Sequence, residues 1–204
     1  MVITSIEPCQ SNRYKVCMED GTHLILYKGE VRRYHLSESM ELSQSTYEEL
    51  FYEVLGKRVK KRAMALLEKQ DRTEAGLRRK LAEGDYPEQL IEDAIAYVKK
   101  YHYIDDRRYA QNYVSYHQQG RSRLRLKQDL MKRGVPSQIA ECVLEEMYEQ
   151  QEEAKILRLL QKKNYDPENA DRKEQQRIYG YLARAGFSSG DILRAMKCTD
   201  HLTS

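Results

Sequence analysis

Three segments of this 204-residue chain repeat one template, and a repeat restricts the possible folds more tightly than any other feature of the sequence. Written as apolar, three residues, apolar, four residues, apolar, Pro or Ser, it reads Leu77, Leu81, Tyr86, Pro87 in the first segment. The second reads Leu126, Leu130, Val135, Pro136 and the third Ile178, Leu182, Phe187, Ser188. Nine residues past the third position, Ile95, Leu144 and Met196 are again apolar. Apolar residues at i and i+4 bury one face of a helix. A turn follows at Gly84-Asp85, Gly134 or Gly186, where positive φ is accessible, and Pro87, Pro136 or Ser188 then starts the next helix. Successive repeats lie 49 and 52 residues apart, which leaves room for three helices in each. The predicted fold is therefore mainly α, a tandem array of three three-helix repeats at 57–104, 105–150 and 151–197 with a tail at 198–204. Such units bury their apolar faces by stacking, which gives an elongated, curved body suited to binding.

The amino-terminal 56 residues read differently. Arg13–Met18 alternates, Thr22–Tyr27 is β-rich, and Asp20-Gly21 between them signals a hairpin. Residues 1–6 supply a third strand before Pro8. Ser45 and Thr46 stand three residues before Glu48 and Glu49 and predict a capped helix that joins this β element to the first repeat, with a kink or break at Gly56.

No constellation for chemistry emerges. His23, His35, His102, His117 and His201 form no metal-ligand spacing, and Cys9, Cys17, Cys142 and Cys198 form no CxxC pair. Asp105 beside His102 reads as a helix cap, and Cys142 as a small buried hydrophobe. None of the ten glycines belongs to a phosphate-cradling loop. The expectation is a non-enzyme without metal or cofactor. The longest apolar run, Leu24–Tyr27, is far too short to span a bilayer, and free thiols suit a reducing cytoplasm, so a cytoplasmic protein is expected.

Charge is unevenly distributed. The formal net charge is +3, but residues 57–81 hold ten basic residues against three acidic, and 107–133 hold eight against one. An acidic run, Glu145, Glu146, Glu149, Glu152 and Glu153, follows. Basic blocks of this density suggest a polyanionic partner.

Tyr103-Ile-Asp-Asp-Arg-Arg-Tyr-Ala110, followed by Arg121-Ser-Arg-Leu-Arg-Leu-Lys-Gln-Asp-Leu-Met-Lys-Arg-Gly-Val-Pro136, resembles the central repeat of the RecX regulatory proteins, which modulate the bacterial recombinase RecA. Arg62–Leu67 with Thr73–Leu81 resembles the first repeat, and the third fits more loosely. The resemblance implies binding in the groove of the RecA–single-stranded DNA filament, without catalysis. It implies modulation, mostly inhibition, of recombinase ATPase, strand exchange and co-protease activity in DNA repair and the SOS response. Residues 1–56 resemble only the longer members, and Ala140 is small where the other repeats have Ile91 and Ile192.

On this reading the filament or DNA contacts fall to Arg78, Arg79 and Lys80 in the first repeat. In the second they fall to Arg121, Arg123, Arg125, Lys127, Lys132 and Arg133. Tyr109, Tyr113 and Tyr116 recur at helical spacing beside the second set, chiefly as a packing stripe. A monomer is expected. The rival reading is a basic helical DNA-binding module without a specific recombinase partner.

Overall fold

The computed structural model describes residues 1–9, 11–149 and 151–197; Cys198, His201 and the tail expected at 198–204 lie outside the described residues. Two compact units divide the chain, 1–105 and 106–204.

The first unit opens with an antiparallel sheet in the order β1 (Ile3–Pro8), β2 (Arg13–Met18), β3 (His23–Tyr27). Cys17 pairs with His23 and Arg13 with Tyr27 across the predicted hairpin, and Gly21 takes φ +81° in its turn. A register shift between Ile3 and Ser5 marks a bulge in β1. Val16 and Met18 alternate inward on β2, whereas Leu24, Ile25 and Leu26 are all buried on β3.

Helix α1 (Lys28–Arg33) continues directly from β3, and α2 (Gln44–Glu48) follows a loop. The cap of α2 is Ser43, whose hydroxyl accepts from the Thr46 amide at 3.2 Å, rather than the predicted Ser45 or Thr46. A π-helical stretch at Glu49–Gly56 then runs into α3 (Lys57–Lys69). At Gly56, where a kink or break is expected, the π-helical stretch gives way to α3 while the backbone stays helical (φ −57°, ψ −46°), and a Cβ there would sit 3.6 Å from Leu90 Cδ2, an ordinary contact.

Helices α4 (Glu74–Ala82) and α5 (Glu88–Lys100) complete the first repeat. Ile3, Leu24, Leu26, Leu50, Leu55, Leu77, Leu90 and Ile104 share one core, so the β element packs with the first repeat as one body. Arg58 of α3 fastens that joint. Its guanidinium donates to the Ile25 carbonyl at 3.0 Å, pairs with Glu30, and lies 4.4 Å from the Tyr27 ring centre.

The second unit holds α6 (Asp106–His117), α7 (Arg123–Lys132), α8 (Ser137–Met147), α9 (Glu152–Lys162), α10 (Arg172–Arg184) and α11 (Ser189–Lys197). The first and second apolar positions of every template are buried, as are Val135 and Phe187 at the third; Tyr86 is half-buried. The residue before that third position ends the helix with positive φ: Asp85 at 54°, Gly134 at 91°, Gly186 at 91°. In the first repeat the left-handed residue is thus Asp85, not Gly84, an accommodation open to Asp through its short polar side chain. Val135 and Phe187 amides return to the carbonyls of Leu130 and Leu182, the six-to-one bond of a Schellman stop.

Pro87 and Pro136 occupy the caps of α5 and α8, and Ser188 holds the equivalent place before α11 by accepting from the Asp191 amide at 3.2 Å. Either solution stops the chain from continuing the previous helix. Thr73, Ser122 and Asp171 cap the second helix of each repeat. The third cap stands seven residues before its first template position instead of four, so α10 begins earlier.

Candidate functional site

The second helix of the second repeat is organised around a buried carboxylate. Asp129, only 7% exposed at its side chain, accepts from Arg121 at 2.5 Å and faces Arg125 Nε at 3.3 Å. The Tyr113 hydroxyl donates to the same carboxylate at 3.4 Å and is in turn met by Arg121. Arg133 lies over the Tyr113 ring with its guanidinium carbon 4.6 Å from the centre. Two guanidinium groups therefore share one acidic side chain while a third covers the adjacent ring, and the cluster keeps an excess of positive charge. An arginine has five N–H donors, so one that is held by Asp129 still has donors for an oxyanion.

The start of α7 is held by the third repeat. The Ser122 amide donates to the Ala185 carbonyl at 3.0 Å, and the Arg123 amide donates to Glu152 Oε1 at 3.1 Å. The Tyr148 hydroxyl shares its one hydrogen between the Arg121 carbonyl at 3.3 Å and Glu152 Oε1 at 3.1 Å. Repeats two and three thus jointly set the place of Arg121, Arg123 and Arg125.

The other predicted contacts are distributed as follows. Lys127 pairs with Glu141 at 3.0 Å, and Arg123 faces Glu145 at 3.8 Å. In the first repeat Arg78 forms a fork with Glu92 (2.7 and 3.0 Å) and also meets Glu74 at 3.0 Å, while Lys80 pairs with Glu83. Arg79 and Lys132 are exposed and make no ion pair among the described residues. The Arg78–Glu92 and Lys127–Glu141 pairs are the same pair in two repeats, each member displaced by 49 residues. Both tie the second helix of a repeat to its third. At the matching places of repeat three, 52 residues on, Tyr179 and Leu193 line a shallow apolar groove.

Two acidic contributions were not apparent from the sequence. Asp129 looks like an ordinary exposed helical residue, and the acidic run from the end of α8 into α9 looks like a solvated face. That run instead supplies Glu145 to Arg123, Glu146 to Arg107 at 2.6 Å, and Glu152 to the α7 start. Exposed pairs of this kind contribute about 0–1 kcal/mol each, so a phosphate can displace their carboxylates at little loss. Of the three tyrosines, Tyr113 is buried, Tyr109 is packed against the core, and Tyr116 is 85% exposed.

Burial, then the charges of Arg121 and Arg133, hold the His117 imidazole below its ordinary pKa of 6.5. The ring lies 4.3 Å from Tyr113. The folded imidazole binds its proton less tightly than the unfolded one. The contribution of His117 to stability is therefore complete above pH 6.5 and is lost as the pH falls through 6.5 towards the folded value. A proton-detected titration should find the His117 midpoint below 6.5, and Arg121→Ala should raise it; an unshifted midpoint in the variant would dissociate His117 from the cluster.

Among the described residues no group of His, Cys, Asp and Glu could hold a metal ion, and no helix is long and apolar enough to cross a membrane. Cys9, Cys17 and Cys142 are free thiols.

Comparison with known proteins agrees with this architecture. The first, second and third three-helix domains of RecX match residues 60–97, 105–144 and 150–196. The regulatory protein RecX of Caldanaerobacter subterraneus subsp. tengcongensis is 32% identical over 165 residues, 80% of this chain and 82% of that protein. That of Trichlorobacter lovleyi is 34% identical over 139 residues, 66% of this chain and 90% of its own. A crystal structure of regulatory protein RecX superposes with a TM-score of 0.62 at 21% identity, covering 97% of this chain and all of that one. RecX from Lactobacillus salivarius gives 0.58 at 26% identity over 70% of this chain and 94% of its own. With three repeats that match domain by domain, and a relative similar over most of both lengths, the chain belongs to the RecX family of regulatory proteins.

Proposed function

We propose that this protein binds the RecA–single-stranded DNA filament from the cytoplasm and inhibits recombinase ATPase, strand exchange and co-protease activity, without catalysis of its own. The observation that carries the reading is the arginine cluster around Asp129, set on a helix that two repeats hold in place. A filament presents both phosphates and acidic protein side chains, and forked guanidinium groups suit either. Arg121, Arg125 and Arg133 form the centre of the contact; Arg123 and Lys132 flank it. Lys127, Arg78 and Lys80 act first as internal ties, and Arg79 is the open one of the three candidates in the first repeat.

The test uses the flanking cations, whose replacement disturbs little of the fold. The double variant Arg123→Glu, Lys132→Glu should retain its helical circular dichroism and need about tenfold more protein for half-inhibition of single-stranded-DNA-dependent ATP hydrolysis. Unchanged inhibition by the folded variant would remove this surface from the contact. If the protein binds bare DNA and the coated filament equally, with an affinity that falls about one log unit per contacted phosphate per log of salt, the rival basic module is the correct reading.

A further inference from the structure

We propose that Tyr97, Tyr101 and Tyr103, with Lys60 and Lys100, form a stacking site for the unpaired bases of a single-stranded nucleic acid on the first unit. The three rings are 37%, 52% and 46% exposed, a concentration of aromatic surface that a folded protein ordinarily buries. Tyr97 and Tyr101 are one turn apart at the end of α5, with ring centres 4.9 Å apart. His102, at φ +56°, then reverses the chain and returns Tyr103 to 6.3 Å from Tyr101.

The relative tilts, 56° and 38°, show that the rings do not cover one another face to face, in keeping with the exposure of all three. Lys60 and Lys100 each hold an ammonium over this row, 5.7 Å from the Tyr97 centre and 5.8 Å from the Tyr101 centre. These separations are at the outer limit of a cation–aromatic contact, and a long flexible stem can turn either lysine to a phosphate. Asp93, one turn before Tyr97, bounds the row at one end. Alternate aromatic faces and cations fit a strand that offers bases and phosphates in alternation; a duplex hides its base faces and does not fit.

The inference does not rest on recombinase binding, and its test uses the full chain with bare strands. The chain has no Trp, so its emission comes from sixteen tyrosines, and the portion lost in Tyr97→Ala and Tyr101→Ala identifies the signal of the row. A short oligothymidylate should quench part of this emission, and an abasic strand of equal length and charge should bind more weakly without quenching. Tyr101→Ala should weaken oligothymidylate binding about tenfold, within the range for loss of one stacked base, whereas Tyr101→Phe should retain it. Equal binding of the abasic strand, or oligothymidylate binding indifferent to Tyr97→Ala and Tyr101→Ala, would overturn the proposal. So would a loss of filament inhibition in these variants with oligothymidylate binding intact, which would make the row a protein contact.

Discussion

Gly186→Ala should lower the stability of the second unit by about 3 kcal/mol, the sum of about 1–2 kcal/mol for a left-handed alanine and about 1–3 kcal/mol for overpacking. The residue has φ +91°, and a Cβ placed on it would stand 2.5 Å from Ser122 Oγ and 2.6 Å from Arg125 Cβ. Neither neighbour can yield freely. Ser122 Oγ caps α7 by accepting from the Arg125 amide at 3.2 Å, and the Ser122 amide is bound to the Ala185 carbonyl at 3.0 Å. Moving the hydroxyl therefore also endangers the cap, worth about 1 kcal/mol. For a unit of this size the expected fall in melting temperature is about 10–20 °C. Gly21→Ala is the control: Gly21 has φ +81° but nothing within 4 Å of a Cβ, so backbone strain of about 1 kcal/mol is all it should show. Thermal unfolding followed by circular dichroism measures both, and equal losses would refute the close contact between α7 and the end of α10. Filament inhibition should suffer as well, because the displaced atoms belong to the residues that carry the arginine cluster.

The template was readable because each of its positions follows from local periodicity: a residue at i and i+4 on a helix is buried or not largely by its own repeat. The hairpin was readable for a similar reason, since Asp20-Gly21 imposes its turn on the flanking strands. What could not be read depends on rotation between helices. Arg78 and Glu92 are 14 residues apart, as are Lys127 and Glu141, and nothing in either run shows that the two helices turn these side chains towards each other. The basic blocks consequently looked more open than they are. Asp129 shows the same difficulty, because one acidic residue in a run of cations reads as a solvated exception until α6 brings Tyr113 to it. The tyrosine row was concealed by the backbone reversal at His102, a type that takes positive φ far less often than Gly. Ser43 in place of Ser45 or Thr46 is a shift of two or three residues within a serine-rich stretch, where several hydroxyls compete for the same cap.

Asp129→Ala should act on stability and on binding in the same direction, although a simple count of charge predicts opposite signs. Removing the carboxylate leaves Arg121, Arg125 and the Tyr113 hydroxyl without their common acceptor. Loss of one partner from a fully buried ion pair destabilises by about 3–5 kcal/mol, and the partial exposure of both arginines reduces this to about 2 kcal/mol. Urea unfolding should register that loss directly. For binding, removal of one negative charge strengthens attraction to a phosphate several ångströms away by about 0.5 kcal/mol, roughly a twofold gain that salt abolishes. Against it stands the freedom restored to two long side chains, which must be ordered again on binding at about 0.5–1.5 kcal/mol each. The second effect is larger, so filament affinity should fall about threefold to tenfold at moderate salt, and the deficit should widen as salt screens the compensating gain. Asp129→Asn, which keeps an acceptor of the same shape, should recover part of the stability and part of the affinity together. If Asp129→Ala instead binds more tightly at low salt while folded, the carboxylate merely neutralises its neighbours, and the ordered cluster is not what the partner recognises.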